Sequence, residues 1–89
     1  MDRHPPNQPP NHEALLIIPA YNEERQLPAL LHRLRVCYPE LAVLVVDDGS
    51  RDRTREVSLA QGVKIVSHPF NLGYGAALQT GYKYALAHG

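Results

Sequence analysis

Three short apolar runs separate longer stretches of mixed character along the chain. They are ALLII at residues 14–18, LAVLVV at residues 41–46 and VKIVS at residues 63–67. Short, nearly continuous apolar runs are typical of strands buried on both faces of a parallel sheet. We therefore predict three buried strands, the first of which is stopped by Pro19.

The segments that follow each run have the spacing and the boundaries of helices. Four leucines between residues 27 and 34 fall at i, i+3, i+4 and i+7, the stripe of an amphipathic helix. Pro28 is tolerated only in a first turn, so this helix is expected to begin near Gln26 or Leu27. A second helix, capped by Ser50 or Asp52, should run to about residue 61.

A third helix is predicted over residues 74–88. Its Ala77, Gly81 and Ala85 form a face of small residues suited to close packing. The resulting order β-α-β-α-β-α, with short connections, predicts parallel strands joined by right-handed crossovers. The expected fold class is α/β, a Rossmann-like three-layer arrangement.

Residues 1–13 differ in composition from the rest of the chain. They contain four prolines and no aliphatic residue beyond the initiating methionine, so we expect a disordered tail that precedes one folded domain at residues 14–89. Nine lysines and arginines balance nine acidic residues, which argues against a nucleic-acid partner, since such proteins usually carry a basic excess.

Cysteine content and hydropathy indicate a cellular compartment. A single cysteine, Cys37, cannot form an internal disulfide and fits a reducing environment. No stretch has the pattern of a secretory signal, and the apolar runs are far shorter than the roughly 20 residues that span a bilayer. A cytoplasmic protein is expected.

Unusual polar residues follow each predicted strand, in the sequences PAYNEE (19–24), DDGSRDRT (47–54) and HPFNLGYG (68–75). In parallel α/β sheets, ligands bind beyond the carboxyl ends of the strands. The adjacent carboxylates of Asp47 and Asp48 repel each other unless hydrogen-bond donors or a cation compensate their negative charge. Two interpretations remain open from the residues alone: an Asp-Gly turn where the chain surfaces, or a binding site.

Three blocks together resemble a known family. IIPAYNEE (17–24), VVDDGSRDRT (45–54) and NLGYGAALQTGYKYAL (71–86) are similar to the N-terminal part of family 2 inverting glycosyltransferases. Within that family they resemble the polyprenyl-phosphate sugar transferases, the dolichol-phosphate mannosyltransferase group. The resemblance covers residues 14–89 and implies the nucleotide-binding half of a GT-A (nucleotide-diphospho-sugar transferase) fold, with strand order 3-2-1.

The resemblance also implies a substrate and the residues that bind it. The donor would be a UDP- or GDP-sugar, and the acceptor a polyprenyl phosphate at the membrane surface. Positions matching Pro19, Tyr21 and Glu23 would line the base and ribose. Asp47 would accept a hydrogen bond from the base, a task that suits an ionised carboxylate because uracil N3–H and guanine N1–H are donors. Asp48 would face a loop and bond backbone N–H groups or an arginine.

Structural roles offer an alternative for several of these residues. Tyr21 could pack at a strand end, and Glu23 could answer the positive end of a helix. The glycines of the third loop are expected to supply turn geometry. No chemistry is assigned to His68 or Cys37.

Three other classes of protein compete with this interpretation. A dinucleotide-dependent oxidoreductase needs G-x-G-x-x-G after the first strand, where this chain has PAYNEE. A phospho-receiver domain needs an aspartate after the third strand, where this chain has Ser67 and His68. A non-catalytic nucleotide-binding module remains as the third alternative.

The resemblance implies a divalent cation, Mg²⁺ or Mn²⁺, held by an Asp-x-Asp motif that follows a fourth strand. These 89 residues contain no such motif, so we assign no catalytic or metal-binding residue and expect the isolated chain to bind a donor without transferring sugar. Without the fourth strand, the edge of the first strand would be open, which predicts self-association.

Overall fold

The computed structural model describes residues 15–88, so the predicted tail lies outside the described residues. The chain forms β1 (Leu15–Ala20), α1 (Leu27–Cys37), β2 (Ala42–Asp47), α2 (Thr54–Ala60), β3 (Lys64–Ser67) and α3 (Tyr74–His88). The predicted order of strands and helices is confirmed, and the predicted starts of α1 and α3 match the observed ones.

The start of α2 differs from the prediction. The helix begins at Thr54, and its N-cap residue is Arg53, which makes no side-chain capping hydrogen bond. Ser50 does not cap the helix, because its hydroxyl accepts a hydrogen bond from the backbone N–H of Asn22 in another loop. Asp52 does accept from the Thr54 N–H at 2.9 Å, two residues ahead of it.

The sheet has the order β1-β2-β3, and both pairings are parallel. Its register places Ala20 opposite Asp47, and Asp47 opposite Ser67. The three strands therefore end level with one another, and the loops that follow them leave from the same edge. This confirms the predicted parallel sheet with β1 at its edge.

Alternating side chains of β2 build the core on the two faces of the sheet. Val45 faces the cluster that contains Leu27 and Leu31 of α1, whereas Leu44 and Val46 face Ala77 of α3. All three β2 side chains are fully buried, and burying each contributes about 1.5–3 kcal/mol. Helices on both faces give the predicted three layers.

The small-residue face of α3 permits close packing on β1. Ala77 is fully buried, and a Cβ added at Gly81 would lie 2.5 Å from Ile17 Cγ2. β1 has β2 as its strand neighbour on one side, and within residues 15–88 no strand pairs with its other side. In that same part of the chain, no helix combines the length and the apolar character needed to cross a membrane.

Candidate functional site

Asn22 connects the loop after β1 to the loop after β2. Its backbone N–H donates to Ser50 Oγ at 2.9 Å, and its side-chain Oδ1 accepts from the Arg51 N–H at 2.8 Å. Asn22 has φ = +53°, a conformation that asparagine tolerates better than most residues. The two loops are thus held together through both the backbone and the side chain of one residue.

Asp52 and Thr54 add a second connection between these loops. The hydroxyl of Thr54, which is fully buried, donates to Asp52 and accepts from the Glu23 N–H at 2.8 Å. The other carboxylate oxygen of Asp52 accepts from the Glu24 N–H at 3.1 Å. Burial acts to raise the pKa of Asp52, but the donors from Thr54 and Glu24 outweigh it and hold the pKa below its usual value.

The polar run after β2 therefore sets the shape of the first loop. Sequence reasoning missed this role for Asn22, Ser50, Asp52 and Thr54, because it treated Ser50 and Asp52 as helix-cap residues and gave Asn22 and Thr54 no role. Small hydroxyl and carboxyl side chains favour local turns and caps by default. The sequence contains no signal that their partners lie about thirty residues away.

Asp48 organises the third loop, which follows β3. One of its carboxylate oxygens accepts from the Leu72 N–H at 2.9 Å and from His68 Nδ1 at 2.7 Å, and the other accepts from the Gly73 N–H at 2.8 Å. Asp48 is 4% exposed. This is the loop-facing arrangement expected for Asp48, with backbone amides rather than an arginine as partners. A role in nucleotide binding stays a prediction.

These donors determine the charge of Asp48. Burial by itself would raise the pKa of the carboxyl group. The hydrogen bond from His68, followed by those from the Leu72 and Gly73 amides, outweighs the effect of burial and holds the pKa below its usual value. Asp48 is therefore ionised at neutral pH, and its neighbour Asp47 lies beside a compensated charge.

Asp47 is equally buried, at 4% exposure, but accepts fewer and longer hydrogen bonds. Its Oδ1 accepts from the Ser50 N–H at 3.0 Å, and its Oδ2 accepts from the Ser67 hydroxyl at 3.3 Å. A carboxylate offers about four acceptor positions. Asp47 therefore keeps acceptor capacity that Asp48 has given to the third loop.

The remaining candidate residues lie beside Asp47 at the same edge of the sheet. Ala20 is the register partner of Asp47, so Pro19 and Tyr21 lie immediately before and after that position. Tyr21 is 44% exposed, and Glu23 is also exposed. Within residues 15–88, neither the Tyr21 hydroxyl nor the Glu23 carboxylate makes a side-chain hydrogen bond.

Gly49 brings the second and third loops into direct contact. It has φ = +74°, and a Cβ added there would lie 2.2 Å from the carbonyl carbon of Phe70 and 2.4 Å from the Asn71 nitrogen. Only glycine fits this position, because the atoms in the way belong to the backbone. The three loops form one continuous border, which we call the carboxyl rim (residues 19–24, 47–54 and 68–75).

A cavity of about 890 Å³ lies at the opposite edge of the sheet. Residues at the starts of the strands and the ends of the helices line it, among them Leu15, Ala42, Lys64 and Tyr84. It includes none of the five candidate residues. The buried carboxylates and the paired polar loops lie at the carboxyl rim, so the rim is the better candidate for a polar ligand.

The described residues do not fit a metal site of their own. Between residues 15 and 88, no group of three or more histidine, cysteine or acidic side chains is placed to hold an ion. Two acidic side chains, those of Asp47 and Asp48, adjoin in sequence but bond different loops.

Comparison with known proteins identifies the family. The sequence model described as "Glycosyl transferase family 2" matches residues 15–87. The chain belongs to this family. It is 37% identical over 86 residues to the polyprenol monophosphomannose synthase of Mycolicibacterium smegmatis, covering 90% of this chain and 32% of that protein. It is also 37% identical over 84 residues to a dolichyl-phosphate beta-glucosyltransferase of Trichomonas vaginalis, covering 78% and 25% respectively.

These relatives confirm the resemblance to polyprenyl-phosphate sugar transferases. Solved structures confirm the GT-A fold class. Glucosyl-3-phosphoglycerate synthase of Mycobacterium tuberculosis, in complex with UDP, superposes with a TM-score of 0.62 and 27% sequence identity. The match covers 73% of this chain and 27% of the synthase. A mannosyltransferase of Pyrobaculum calidifontis, in complex with GDP-Man and Mn²⁺, superposes with a TM-score of 0.65 and 23% identity. The match covers 92% of this chain and 28% of the mannosyltransferase. The chain spans about a quarter to a third of the length of its relatives.

Proposed function

We propose that this family 2 glycosyltransferase chain is the part that binds the donor nucleotide, a UDP- or GDP-sugar, at the carboxyl rim. The observation that supports this proposal most directly is the pair of buried carboxylates at the end of β2. One of them, Asp48, accepts three short hydrogen bonds from the protein, and the other, Asp47, accepts two longer ones and retains more acceptor capacity. A base with an imide or amino donor is the ligand that such an acceptor suits.

Each of the five candidate residues has a role in this proposal. Asp47 accepts the hydrogen bond from the edge of the base. Pro19, Tyr21 and Glu23 line the base and the ribose, since Pro19 precedes Ala20, the register partner of Asp47, and Tyr21 and Glu23 follow it in the first loop. Asp48 supports the site from behind by fixing the third loop.

A helix start and two arginines at the same rim are the features that would favour a diphosphate. Helices α1 and α3 both begin there, and neither has an acidic residue in its first turn. The Asp48 carboxylate already meets the amides at the start of α3, so α1 is the helix whose positive end would favour a diphosphate nearby. The exposed Arg51 and Arg53 of the second loop add positive charge.

We propose that the whole protein transfers the sugar to a polyprenyl phosphate, as the names of its relatives suggest for those proteins. A divalent cation, Mg²⁺ or Mn²⁺, would balance the charge of the leaving diphosphate. We propose residues 14–89 as the donor part of that enzyme, which works in the cytoplasm at the membrane surface. The 89 residues alone bind the donor and leave it intact.

Calorimetric titration with UDP and with GDP tests the binding proposal. Asp47→Ala should weaken binding by about 1–3 kcal/mol, since a base donor is left unpaired in a partly buried site. Glu40→Ala is the matched control, because Glu40 is exposed and lies in the turn before β2, away from the rim. Binding that is unaffected by Asp47→Ala, or equally affected by Glu40→Ala, would reject the assignment.

The alternative of a non-catalytic module is decided by the whole protein. Transfer of radiolabelled sugar from a UDP- or GDP-sugar to a polyprenyl phosphate would establish the enzyme. A whole protein that binds the nucleotide with the same dependence on Asp47, yet transfers nothing in the presence of Mn²⁺, would establish the binding module instead.

A further inference from the structure

Three side chains form a continuous hydrogen-bonded chain behind the carboxyl rim. The Asp48 carboxylate lies 2.7 Å from His68 Nδ1, and His68 Nε2 lies 2.7 Å from Thr80 Oγ1. The side chains of His68 and Asp48 are 9% and 5% exposed. These hydrogen bonds link the end of β2, the start of the third loop and the middle of α3. The proposed binding of the base does not involve them.

The chemistry of the partners orients the imidazole. An ionised carboxylate can only accept, so the hydrogen between Asp48 and His68 belongs to Nδ1. Nε2 faces a hydroxyl, which can donate to a neutral ring and accept from a protonated one. The ring is held at both nitrogens, which fixes its position between β2 and α3.

The carboxylate that receives the His68 hydrogen bond also holds the start of α3. Asp48 accepts from the amides of Leu72 and Gly73, and Gly73 has φ = +105°, a conformation that glycine adopts readily. Thr80 lies in the helix that begins directly after Gly73. A closed set of contacts therefore links five residues, Asp48, His68, Leu72, Gly73 and Thr80. The hydrogen bond at Thr80 and the hydrogen bonds at the two amides stabilise each other through it.

We propose that His68 is a positioning residue for the nucleotide site, which aims the Asp48 carboxylate at the amides of the third loop while Thr80 holds its ring. The inference rests on the proposed function, because the third loop, which His68 orders through Asp48, is part of the carboxyl rim. The connection to the base runs through Gly49, where the backbones of the second and third loops touch.

Matched substitutions separate the two hydrogen bonds of His68. In His68→Asn the amide nitrogen stands near the place of Nδ1 and keeps the donor to Asp48, whereas His68→Ala removes both bonds. Thr80→Val removes the hydroxyl and preserves the shape, and Thr80→Ser preserves the hydroxyl. The readouts are amide hydrogen exchange at Leu72 and Gly73, and the protonation of His68 Nδ1 observed by nitrogen NMR.

Wild-type protein should show Nδ1 protonated and both amides protected. Exchange at these two amides should accelerate roughly tenfold in His68→Ala, the ratio expected for loss of a charge-assisted hydrogen bond. Thr80→Val should accelerate it less, and His68→Asn and Thr80→Ser should stay near wild type. Exchange in β2 should not change in these variants, which shows that the fold is retained. Affinity for UDP or GDP should fall in the same order.

Two results would overturn the inference. One is wild-type protection of Leu72 and Gly73 in His68→Ala, and the other is a His68→Asn variant that exchanges as fast as His68→Ala. If His68→Ala does not fold, Thr80→Val against Thr80→Ser decides in its place. Should the wild-type chain bind neither nucleotide, the proposed function fails, while amide exchange still decides whether His68 positions this loop.

Discussion

Replacing Asp48 with asparagine should destabilise the protein much more than the same replacement at its neighbour Asp47. The Asp48 carboxylate accepts hydrogen bonds at 2.7, 2.8 and 2.9 Å from a buried imidazole and two backbone amides. Asparagine has one acceptor oxygen and turns an NH₂ group toward a donor. Asp47 accepts only two hydrogen bonds, of 3.0 and 3.3 Å.

The magnitude follows from the number of donors left unpaired. Each buried donor without a partner costs about 1–3 kcal/mol, and Asp48→Asn leaves one or two of them, so we expect a loss of about 2–4 kcal/mol. Asp47→Asn can keep the bond from the Ser50 amide, and the Ser67 hydroxyl can rotate, so about 1 kcal/mol or less is expected. A domain of this size is stable by only about 5–10 kcal/mol.

Urea unfolding followed by far-ultraviolet circular dichroism measures both variants against wild type. With a slope near 1–1.5 kcal/mol per molar urea, Asp48→Asn should lower the midpoint by about 2 M at pH 7. The difference should depend on pH in a defined direction. Because the folded pKa of Asp48 is depressed, its contribution is fully present above the unfolded pKa near 4 and is lost as pH falls through the folded pKa.

Acidification should therefore narrow the difference in stability between wild type and Asp48→Asn. Equal losses of stability in Asp47→Asn and Asp48→Asn at pH 7 would refute the division of roles between the two carboxylates. A difference that widens as the pH falls below 4 would refute the hydrogen-bonding account of Asp48.

Three further predictions concern the backbone, the sheet edge and the chemistry. Gly49→Ala should cost about 3 kcal/mol or more, because its Cβ would meet backbone atoms at 2.2 Å and its φ is positive. Gly75→Ala, in open space within α3, should be neutral or stabilising by up to about 1 kcal/mol; equal melting temperatures of the two variants would contradict this. Light scattering should show self-association through the unpaired edge of β1, reduced by Leu16→Lys, whereas a monomer at high concentration would count against it. The 89-residue chain, given radiolabelled donor, Mn²⁺ and a polyprenyl phosphate, should transfer no sugar above a blank without protein; transfer that is lost in Asp47→Ala would disprove this expectation.

The three strands and the helices α1 and α3 could be predicted from the sequence because their signals are local. Apolar runs mark β1, β2 and β3, and the spacing of the leucines together with Pro28 marks the start of α1. The start of α2 could not be predicted in the same way. Ser50 is a good capping residue in isolation, but here its hydroxyl is used by a loop 28 residues away.

The site was predictable in outline and not in its internal connections. The rule that ligands bind beyond the carboxyl ends of parallel strands selects the three loops from the order of the apolar runs alone. The division of labour between Asp47 and Asp48 depends on which of them the third loop approaches. Thr80 lies in the third block of the family resemblance and His68 begins the third loop, but the sequence does not pair them, since their partnership arises only when α3 packs against the sheet.

The most direct test of the account is to locate a bound nucleotide on the chain by NMR. UDP and GDP are titrated separately into nitrogen-labelled protein while the backbone amide shifts are followed. The account predicts that one of them shifts the amides of the carboxyl rim, including Tyr21, Glu23 and Ser50, and leaves those beside the opposite cavity, such as Gly62 and Lys64, in place. Shifts concentrated at the opposite cavity, or none with either nucleotide in a folded protein, would contradict it.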